Sequence, residues 1–201
     1  TSGTSVFSPG IYTGTITNAN PNNRLLAGAD VWINKNRTTA DPFQWFPRLS
    51  GWQFLDSSAT TAENNSFTWE QTNQTTLKPS ADFQTSSRSQ VAYYMNRAPG
   101  FMDVVCYTGT GSNSTLSHNL GVVPELMIVK LRSAATDNWF VYSSALGATK
   151  ALYLNATSAA ATSVGFWNDT APTNSVFSTY SPFTNQSGQT YVAYLFATVA
   201  G

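Results

Sequence analysis

The sequence is poor in charge, in histidine and in cysteine. Of its 201 residues, 10% are charged, ten basic and ten acidic, and there is one histidine and one cysteine. A net charge of zero argues against nucleic-acid binding, which needs an excess of Lys and Arg to neutralise phosphates. The single cysteine, Cys106, cannot form an internal disulfide, so we expect it to be a small buried residue of a strand.

Long apolar runs are also missing. The longest, at residues 122–131 and 191–200, fall well short of the ~20 residues that a membrane-spanning helix needs. We therefore expect no membrane insertion. The chain starts at Thr1 and shows no basic start followed by an apolar run, from which we expect a processed product or an excised segment without a signal peptide.

Polar uncharged and aromatic residues are abundant. Ser, Thr and Asn make up about one third of the chain, and aromatic residues account for 13%. That many aromatic side chains can bury enough apolar surface to fold, unlike a disordered polar tract. The apolar segments are short, β-branched or aromatic, and separated by Gly, Asn, Ser and Pro, so the sequence predicts an all-β protein.

The second half of the chain shows the strand pattern most clearly. In residues 126–132, alternation places Met127, Val129 and Leu131 on one face of a strand and the intervening residues, through Arg132, on the other. Residues 143–150 are compatible with one short helical turn. The predicted strands of this half are 104–108, 126–132, 139–142, 151–154, 164–167, 176–180 and 191–198.

An internal repeat organises the whole chain. The motif Tyr-Thr-Gly-Thr occurs at residues 12–15 and again at 107–110. An acid, an apolar run, a Lys and an Arg follow with the same spacing at 30–37 and 125–132. Further matches come in the same order, including Trp45 with Trp139, Gly51 with Gly147 and residues 91–93 with 192–194. The shared order predicts two homologous units of about 100 residues, joined near residues 98–100.

Roughly six or seven short strands in each unit favour an antiparallel β-sandwich with Greek-key connections. We therefore predict two tandem homologous β-sandwich domains, with unit 1 at residues 11–100 and unit 2 at residues 101–201. Residues 1–10 are predicted to be an N-terminal linker or an exchanged strand. One continuous, elongated, fibre-like β fold is the alternative.

The sequence offers little for catalysis. A Ser-His-Asp or Cys-His mechanism would have to use His118, whose counterpart in the first repeat is Asn23, so we expect His118 to serve a turn or the surface. The repeat-related acids Asp30 and Glu125 are expected to cap strand ends or to pair with a nearby cation rather than to form a glycosidase pair. Zinc, calcium-loop and phosphate-binding motifs are absent from the sequence. We predict no enzymatic activity, no cofactor and no metal site.

Two pairs of cations are candidates for binding. Lys35 and Arg37 lie two residues apart on a predicted strand, as do their repeat counterparts Lys130 and Arg132, so each pair shares one face. Such pairs could bind an anion or another chain, and the alternative is a solvated strand end with weak local ion pairs.

The tryptophans divide into two groups. Trp45 and Trp139 lie in apolar runs and are expected in the core. Two others border polar loops, where an indole ring can stack on a sugar while neighbouring polar groups bind its hydroxyls. The candidate glycan-binding residues are accordingly Trp69, Trp167, Asn168 and Asp169.

Residues 98–109, Ala-Pro-Gly-Phe-Met-Asp-Val-Val-Cys-Tyr-Thr-Gly, resemble the opening of a repeated domain of unknown function found in tail-fibre-like and other virion proteins of marine tailed bacteriophages. The first unit is a divergent copy, with Leu-Ala-Gly-Ala at residues 26–29 in place of the Leu-Gly-x-x-Pro element. The resemblance covers nearly all of residues 98–201 and continues through Ser-His-Asn-Leu-Gly-Val-Val-Pro at 117–124, Ile-Val-Lys-x-Arg at 128–132, Trp-x-Val-Tyr-x-x-x-Leu-Gly at 139–147, Trp-Asn-Asp-Thr at 167–170 and Tyr-Val-Ala-Tyr-Leu-Phe at 191–196.

The resemblance implies a non-enzymatic structural protein of a phage virion, a tail fibre or another surface appendage exposed to the exterior. It implies tandem arrays and a homo-oligomer that contacts other virion proteins, and it carries no catalytic residues. A host surface glycan is a further expected partner if the chain is instead a carbohydrate-binding module for host recognition. A third hypothesis is a secreted filament subunit assembled by strand exchange, with residues 1–10 as the exchanged strand.

Overall fold

The computed structural model of the protein describes residues 6–13, 29–51, 53–64, 70–73, 76–78 and 89–198. These residues are mostly β, in antiparallel sheets, and contain one α-helix. The chain divides into two compact units. Unit 1 comprises Thr1–Asp56 and Asn64–Asn96, and unit 2 comprises Ser57–Glu63 and Arg97–Gly201. The prediction of an all-β protein is confirmed.

Seven strands are described in unit 1. They are β1 (Phe7–Thr13), β2 (Val31–Asn36), β3 (Gln44–Pro47), β4 (Leu55–Asp56), β5 (Glu70–Asn73), β6 (Thr76–Lys78) and β7 (Ser89–Met95), with a 3-10 turn at Arg48–Ser50. Five of them form one sheet in the order β1-β7-β2-β3-β4, and β5 pairs with β6. Residues 7–10 lie in β1 and pair with β7 of the same chain, so the prediction of a linker is wrong for these four residues.

The buried face of the unit 1 sheet mixes aromatic and amide side chains. Trp32 stacks between Phe46 and Tyr94, with ring centroids 4.6 and 6.1 Å apart. On the same face Asn34 Nδ2 donates a 2.7 Å hydrogen bond to Gln90 Oε1, and both residues are buried. Pairing the two amides satisfies polar groups that would otherwise be costly to bury.

Unit 2 contains two sheets and the helix. Its elements are β8 (Met102–Thr108), β9 (Ser114–Ser117), β10 (Leu126–Leu131), β11 (Phe140–Ser143), β12 (Lys150–Tyr153), β13 (Ala161–Thr162), α1 (Val164–Trp167), β14 (Val176–Thr179) and β15 (Thr190–Phe196). Six strands form a sheet in the order β13-β12-β11-β10-β15-β8, and β14 pairs with β9. The predicted strands 104–108, 126–132, 139–142, 151–154, 176–180 and 191–198 are found with small shifts in their ends, whereas β9 and β13 were not predicted.

The core of unit 2 is sandwich-like. Met127, Val129 and Leu131 are almost completely buried on one face of the six-stranded sheet, as alternation predicted. They belong to a cluster that also takes in Phe177 of β14 and Trp167 of α1. The sheet therefore packs against a second layer made of β9, β14 and the helix.

The prediction of a strand at residues 164–167 is wrong, because this segment is the helix α1. Ser163 caps its start by accepting a hydrogen bond from Gly165 N, and Asn168, at φ 54°, ends it by donating from its backbone to Val164 O. Such local caps can override the strand preference of Val, Phe and Trp in so short a segment. Residues 143–150 form hydrogen-bonded turns around Gly147 rather than a helix.

The main sheets of the two units have the same strand order. Unit 1 runs β1-β7-β2-β3-β4, and unit 2 runs β8-β15-β10-β11-β12 before β13 is added. The register agrees as well, because Ile33 pairs with Tyr93 in unit 1 and Ile128 with Tyr194 in unit 2. Three backbone hydrogen bonds outside the strands, each 2.8–2.9 Å long, occur at corresponding positions of both units. In unit 1 they run from Asp30 N to Met95 O, from Arg37 N to Ser89 O and from Arg48 N to Asp30 O. In unit 2 they run, in the same order, from Glu125 N to Phe196 O, from Arg132 N to Thr190 O and from Ser144 N to Glu125 O.

The register corrects one match between the repeats. Ile33 pairs with Trp45, and Ile128 pairs with Val141. The counterpart of Trp45 is therefore Val141, and that of Trp139 is Phe43, two residues away from the match by residue type. A slip of two residues keeps every side chain on the same face, so the hydrophobic pattern does not reveal it.

Candidate functional site

The second face of the unit 2 sheet, opposite the core, binds a segment from a distant part of the sequence. Ser57–Glu63 follows β4 along the chain but belongs to unit 2. We call it the clasp segment. Its contacts are with Lys130, Arg132 and Trp139, which we call the unit 2 socket.

The socket binds the main chain of the clasp segment. Trp139 Nε1 donates to Ala59 O at 3.2 Å, and Lys130 Nζ donates to Thr60 O at 2.9 Å. The backbone N–H of Glu63 donates to Arg132 O at 2.8 Å. Three successive sites along the segment are therefore fixed through peptide groups, which any sequence of suitable shape can supply.

One side chain of the clasp segment adds a charged contact. Arg132 Nε donates to Glu63 Oε2 at 2.7 Å, and an Nη of the same guanidinium donates to Glu63 Oε1 at 2.9 Å. The two side chains are 14% and 17% exposed, so solvent screens the pair less than a surface ion pair. A bidentate, charge-assisted pair of this kind fixes orientation as well as adding stability.

Lys130 is the most unusual group of the socket. Its side chain is completely buried, and its ammonium donates to Asp137 O at 2.9 Å in addition to Thr60 O. Burial lowers the pKa of Lys130 to about 8, and the nearby Asp137 carboxylate partly opposes that shift. The cations at 130 and 132, predicted as anion or interface candidates, are thus engaged by the chain's own segment, and Lys130 is not a surface group.

The depressed pKa of Lys130 makes the stability of unit 2 depend on pH. Between pH 8 and its ordinary value of 10.5, the folded protein holds fewer protons at this amine than the unfolded chain, so the free energy of unfolding rises with pH. We expect Lys130 to contribute a gain of about 1 kcal/mol from pH 8 to pH 9, measured by urea unfolding. Burial raises the pKa of Cys106 and of Tyr194, and each of these groups gives the opposite slope. The thiol, whose ordinary pKa is 9.0, already acts in this window, so the contribution of Lys130 is read as the difference from a chain that lacks its amine.

The matched control is Lys130→Met, which keeps the apolar stem and removes the amine. The two chains can differ in overall stability without affecting the test, because the quantity compared is the change in the free energy of unfolding with pH. The same rise from pH 8 to pH 9 in the Lys130→Met chain would contradict the assignment.

Unit 1 carries the counterpart residues Lys35, Arg37 and Phe43, which we call the unit 1 socket. Lys35 Nζ donates to the backbone oxygen of Asp41, as Lys130 does to Asp137, and lies 5.8 Å from the centre of the Phe43 ring. Arg37 is exposed and donates to Ser89 Oγ at 3.3 Å, and Phe43 is 41% exposed. Among the described residues, none binds these side chains as the clasp segment binds the unit 2 socket.

The structure buries the one candidate glycan-binding tryptophan that it describes. Trp167 is completely buried, donates from Nε1 to Lys150 O at 2.9 Å and meets the ring of Tyr142 edge-on. A buried indole cannot stack on a sugar, so the prediction for Trp167 is wrong. Asn168 and Asp169 follow the helix with positive φ values of 54° and 47°. Trp69 lies outside the described residues.

Other singled-out residues have local structural roles. His118 is buried, accepts at Nδ1 from Leu120 N and faces Thr173 O from Nε2 at 3.2 Å, which confirms a role in a turn. Asp30 is paired with Arg48, as expected for a strand end, and Glu125 accepts from Thr198.

The thiol of Cys106 is partly buried on the edge strand β8. Burial raises its pKa, so the thiol stays protonated near neutral pH, which disfavours nucleophilic chemistry. In the part of the chain that the structure describes, no group of three His, Cys, Asp or Glu residues could hold a metal ion. No helix among the described residues is long and apolar enough to cross a membrane.

Comparison with known proteins adds a family. A family model described as Domain of unknown function (DUF7483) matches residues 95–201. The fold of that region is a sandwich-like all-β domain, and since the match spans more than half of the chain, the chain belongs to this family. No curated protein and no solved structure matches the chain significantly.

Sequence reasoning missed the clasp segment, although a signal was present. Ala-Thr-Thr-Ala at residues 59–62 recurs as Ala-Thr-Ser-Ala at residues 156–159. Both runs are short and rich in small residues, and neither shows a strand pattern. The repeat could have been found from the sequence, whereas the surface that it contacts could not.

Proposed function

We propose that the chain is a non-enzymatic structural protein of a bacteriophage virion, a tail fibre or another exposed surface appendage, that acts by self-association and contact with other virion proteins. One observation carries the proposal: the two units share strand order, register and three loop hydrogen bonds. We infer from it that unit 1 and unit 2 arose by duplication and are tandem homologous domains. Repeated modules of one scaffold are typical of elongated assemblies.

Composition and the resemblance seen in the sequence support this function. The chain is rich in Ser, Thr and Asn and poor in charge, a composition that favours solubility with little dependence on salt. The resemblance to phage virion proteins covers the region that the family model matches. The resemblance gives no catalytic residues to place.

The proposal predicts that the purified chain self-associates. Light scattering at two concentrations is expected to give a mass that is a multiple of 21.7 kDa. In a lysate of the phage, the chain should sediment with the particles in a density gradient. A monomer at both concentrations that is also absent from particles would contradict the proposal.

The same measurement separates the strand-exchange alternative. Among the described strands, β1 pairs with β7 alone and lies at the edge of the sheet, and its Ile11 is 63% exposed. If β1 is exchanged between subunits, deleting residues 1–10 converts the assembly to monomers. Retention of the assembly after the deletion would exclude exchange of this strand. The carbohydrate-binding alternative now depends on Trp69, since Trp167 is buried.

A further inference from the structure

Unit 2 has its own equivalent of the clasp segment. The clasp segment follows β4 of unit 1, and a bridge between Phe54 and Asn64 encloses it. In the same way, the pairing of Ala151 with Ala161 encloses residues 154–160, which follow β12. The pairing of β3 with β4, which precedes the first loop, corresponds to the pairing of β11 with β12, which precedes the second. Each loop has seven residues after its strand. We call residues 154–160 the second clasp.

The two loops are similar in sequence but not in surroundings. The clasp segment reads Ser-Ser-Ala-Thr-Thr-Ala-Glu, and the second clasp reads Leu-Asn-Ala-Thr-Ser-Ala-Ala. Thr60 and Ala59 bind the unit 2 socket through their carbonyl groups. Residues 156–159 of the second clasp are exposed.

Among the described residues, unit 1 therefore has a socket that no segment binds, and unit 2 has a second clasp whose residues 156–159 are exposed. We propose that the second clasp of one copy binds the unit 1 socket of another copy, head to tail. The inference rests on the proposed function, because it specifies the contact through which the chain self-associates. Such a contact joins two different surfaces, so it repeats from copy to copy and builds a ring or a filament.

The contact between the second clasp and the unit 1 socket is expected to be weaker than that between the clasp segment and the unit 2 socket. Lys35 can donate to a carbonyl of the second clasp, as Lys130 does to Thr60. Phe43 stands where Trp139 donates an N–H, and Ala160 stands where Glu63 accepts from Arg132, so two of the four hydrogen-bonded sites are lost. Association through this contact should accordingly be reversible and depend on concentration.

The missing carboxylate gives a gain-of-function test. Ala160→Glu places an acid at the position of Glu63, where it can form a bidentate pair with Arg37. We expect the dissociation constant for self-association, measured by analytical ultracentrifugation, to fall about tenfold. Ala160→Gln is the matched control, because it has the same size without the charge, and should give a much smaller change.

A second substitution identifies the partner group. In the Ala160→Glu chain, adding Arg37→Ala should abolish the gain, while circular dichroism shows whether each variant keeps its fold. An equal gain in the presence and absence of Arg37 would overturn the proposed contact. An assembly insensitive to all of these substitutions would also overturn it while leaving self-association intact, whereas a monomer in every variant would contradict the proposed function as well.

Discussion

Trp167→Ala is expected to lower the free energy of unfolding of unit 2 by about 3–5 kcal/mol. The indole is completely buried in the core cluster, and its ring contacts Tyr142 edge-on. Its Nε1 also holds the start of β12 through Lys150 O. Truncation leaves a cavity between the helix and the sheet and an acceptor without its donor, and both effects destabilise the fold. Differential scanning calorimetry of the two chains measures the loss.

The matched control is Val164→Ala, in the same four-residue helix. Val164 is 46% exposed, so its truncation should change the stability by less than about 1 kcal/mol. The opposite pattern would be a Trp167→Ala chain that unfolds at the same temperature but no longer binds host polysaccharide. That result would support a glycan-binding role for Trp167 and would contradict its burial.

Alternation in the sequence predicts which face of a strand a residue occupies, but not what covers that face. Lys130 and Arg132 were expected on the face opposite Met127, and they lie there. The face of each residue follows from its position along the strand, because successive Cβ atoms point to opposite sides. Their burial depends on the clasp segment, which lies about 70 residues earlier in the sequence, and no local pattern encodes a contact of that range.

The helix α1 shows where strand propensity fails. Val164, Phe166 and Trp167 are typical strand residues, yet the caps at Ser163 and Asn168 make this segment helical. Strand preference mainly reflects how well a side chain packs on a sheet, so tertiary packing can reverse it.

The repeat was visible in the sequence, whereas its details were not. The order of motifs predicted the order of strands, because the matched motifs lie in or beside corresponding strands. Asn34 and Gln90 occupy core positions whose counterparts in unit 2 are Val129 and Tyr191, so the hydrophobic pattern of unit 1 is interrupted. A buried amide pair replaces apolar packing there, and a search for apolar alternation cannot detect it.

Gly109→Ala is expected to destabilise unit 2 by about 3 kcal/mol, for a steric reason. A Cβ at this position would overlap the carbonyl oxygen of Gln186 and lie 2.9 Å from its carbonyl carbon. The backbone on both sides is held, because Gly109 N donates to Gln189 O and Gly188 N donates to Gly109 O. The obstacle is itself backbone in a hydrogen-bonded turn, so relief requires the turn to move and to lose bonds.

Gly147→Ala is the control that separates crowding from backbone conformation. Gly147 has φ +76°, and a Cβ there would meet nothing within 4 Å, so its substitution carries only the cost of the left-handed conformation, about 1–2 kcal/mol. Urea unfolding of both variants should therefore rank Gly109→Ala as clearly the more damaging. Equal losses would mean that the turn at residues 185–189 gives way at little cost. The glycine in the motif Tyr-Thr-Gly-Thr would then be there for another reason than the close approach of that turn.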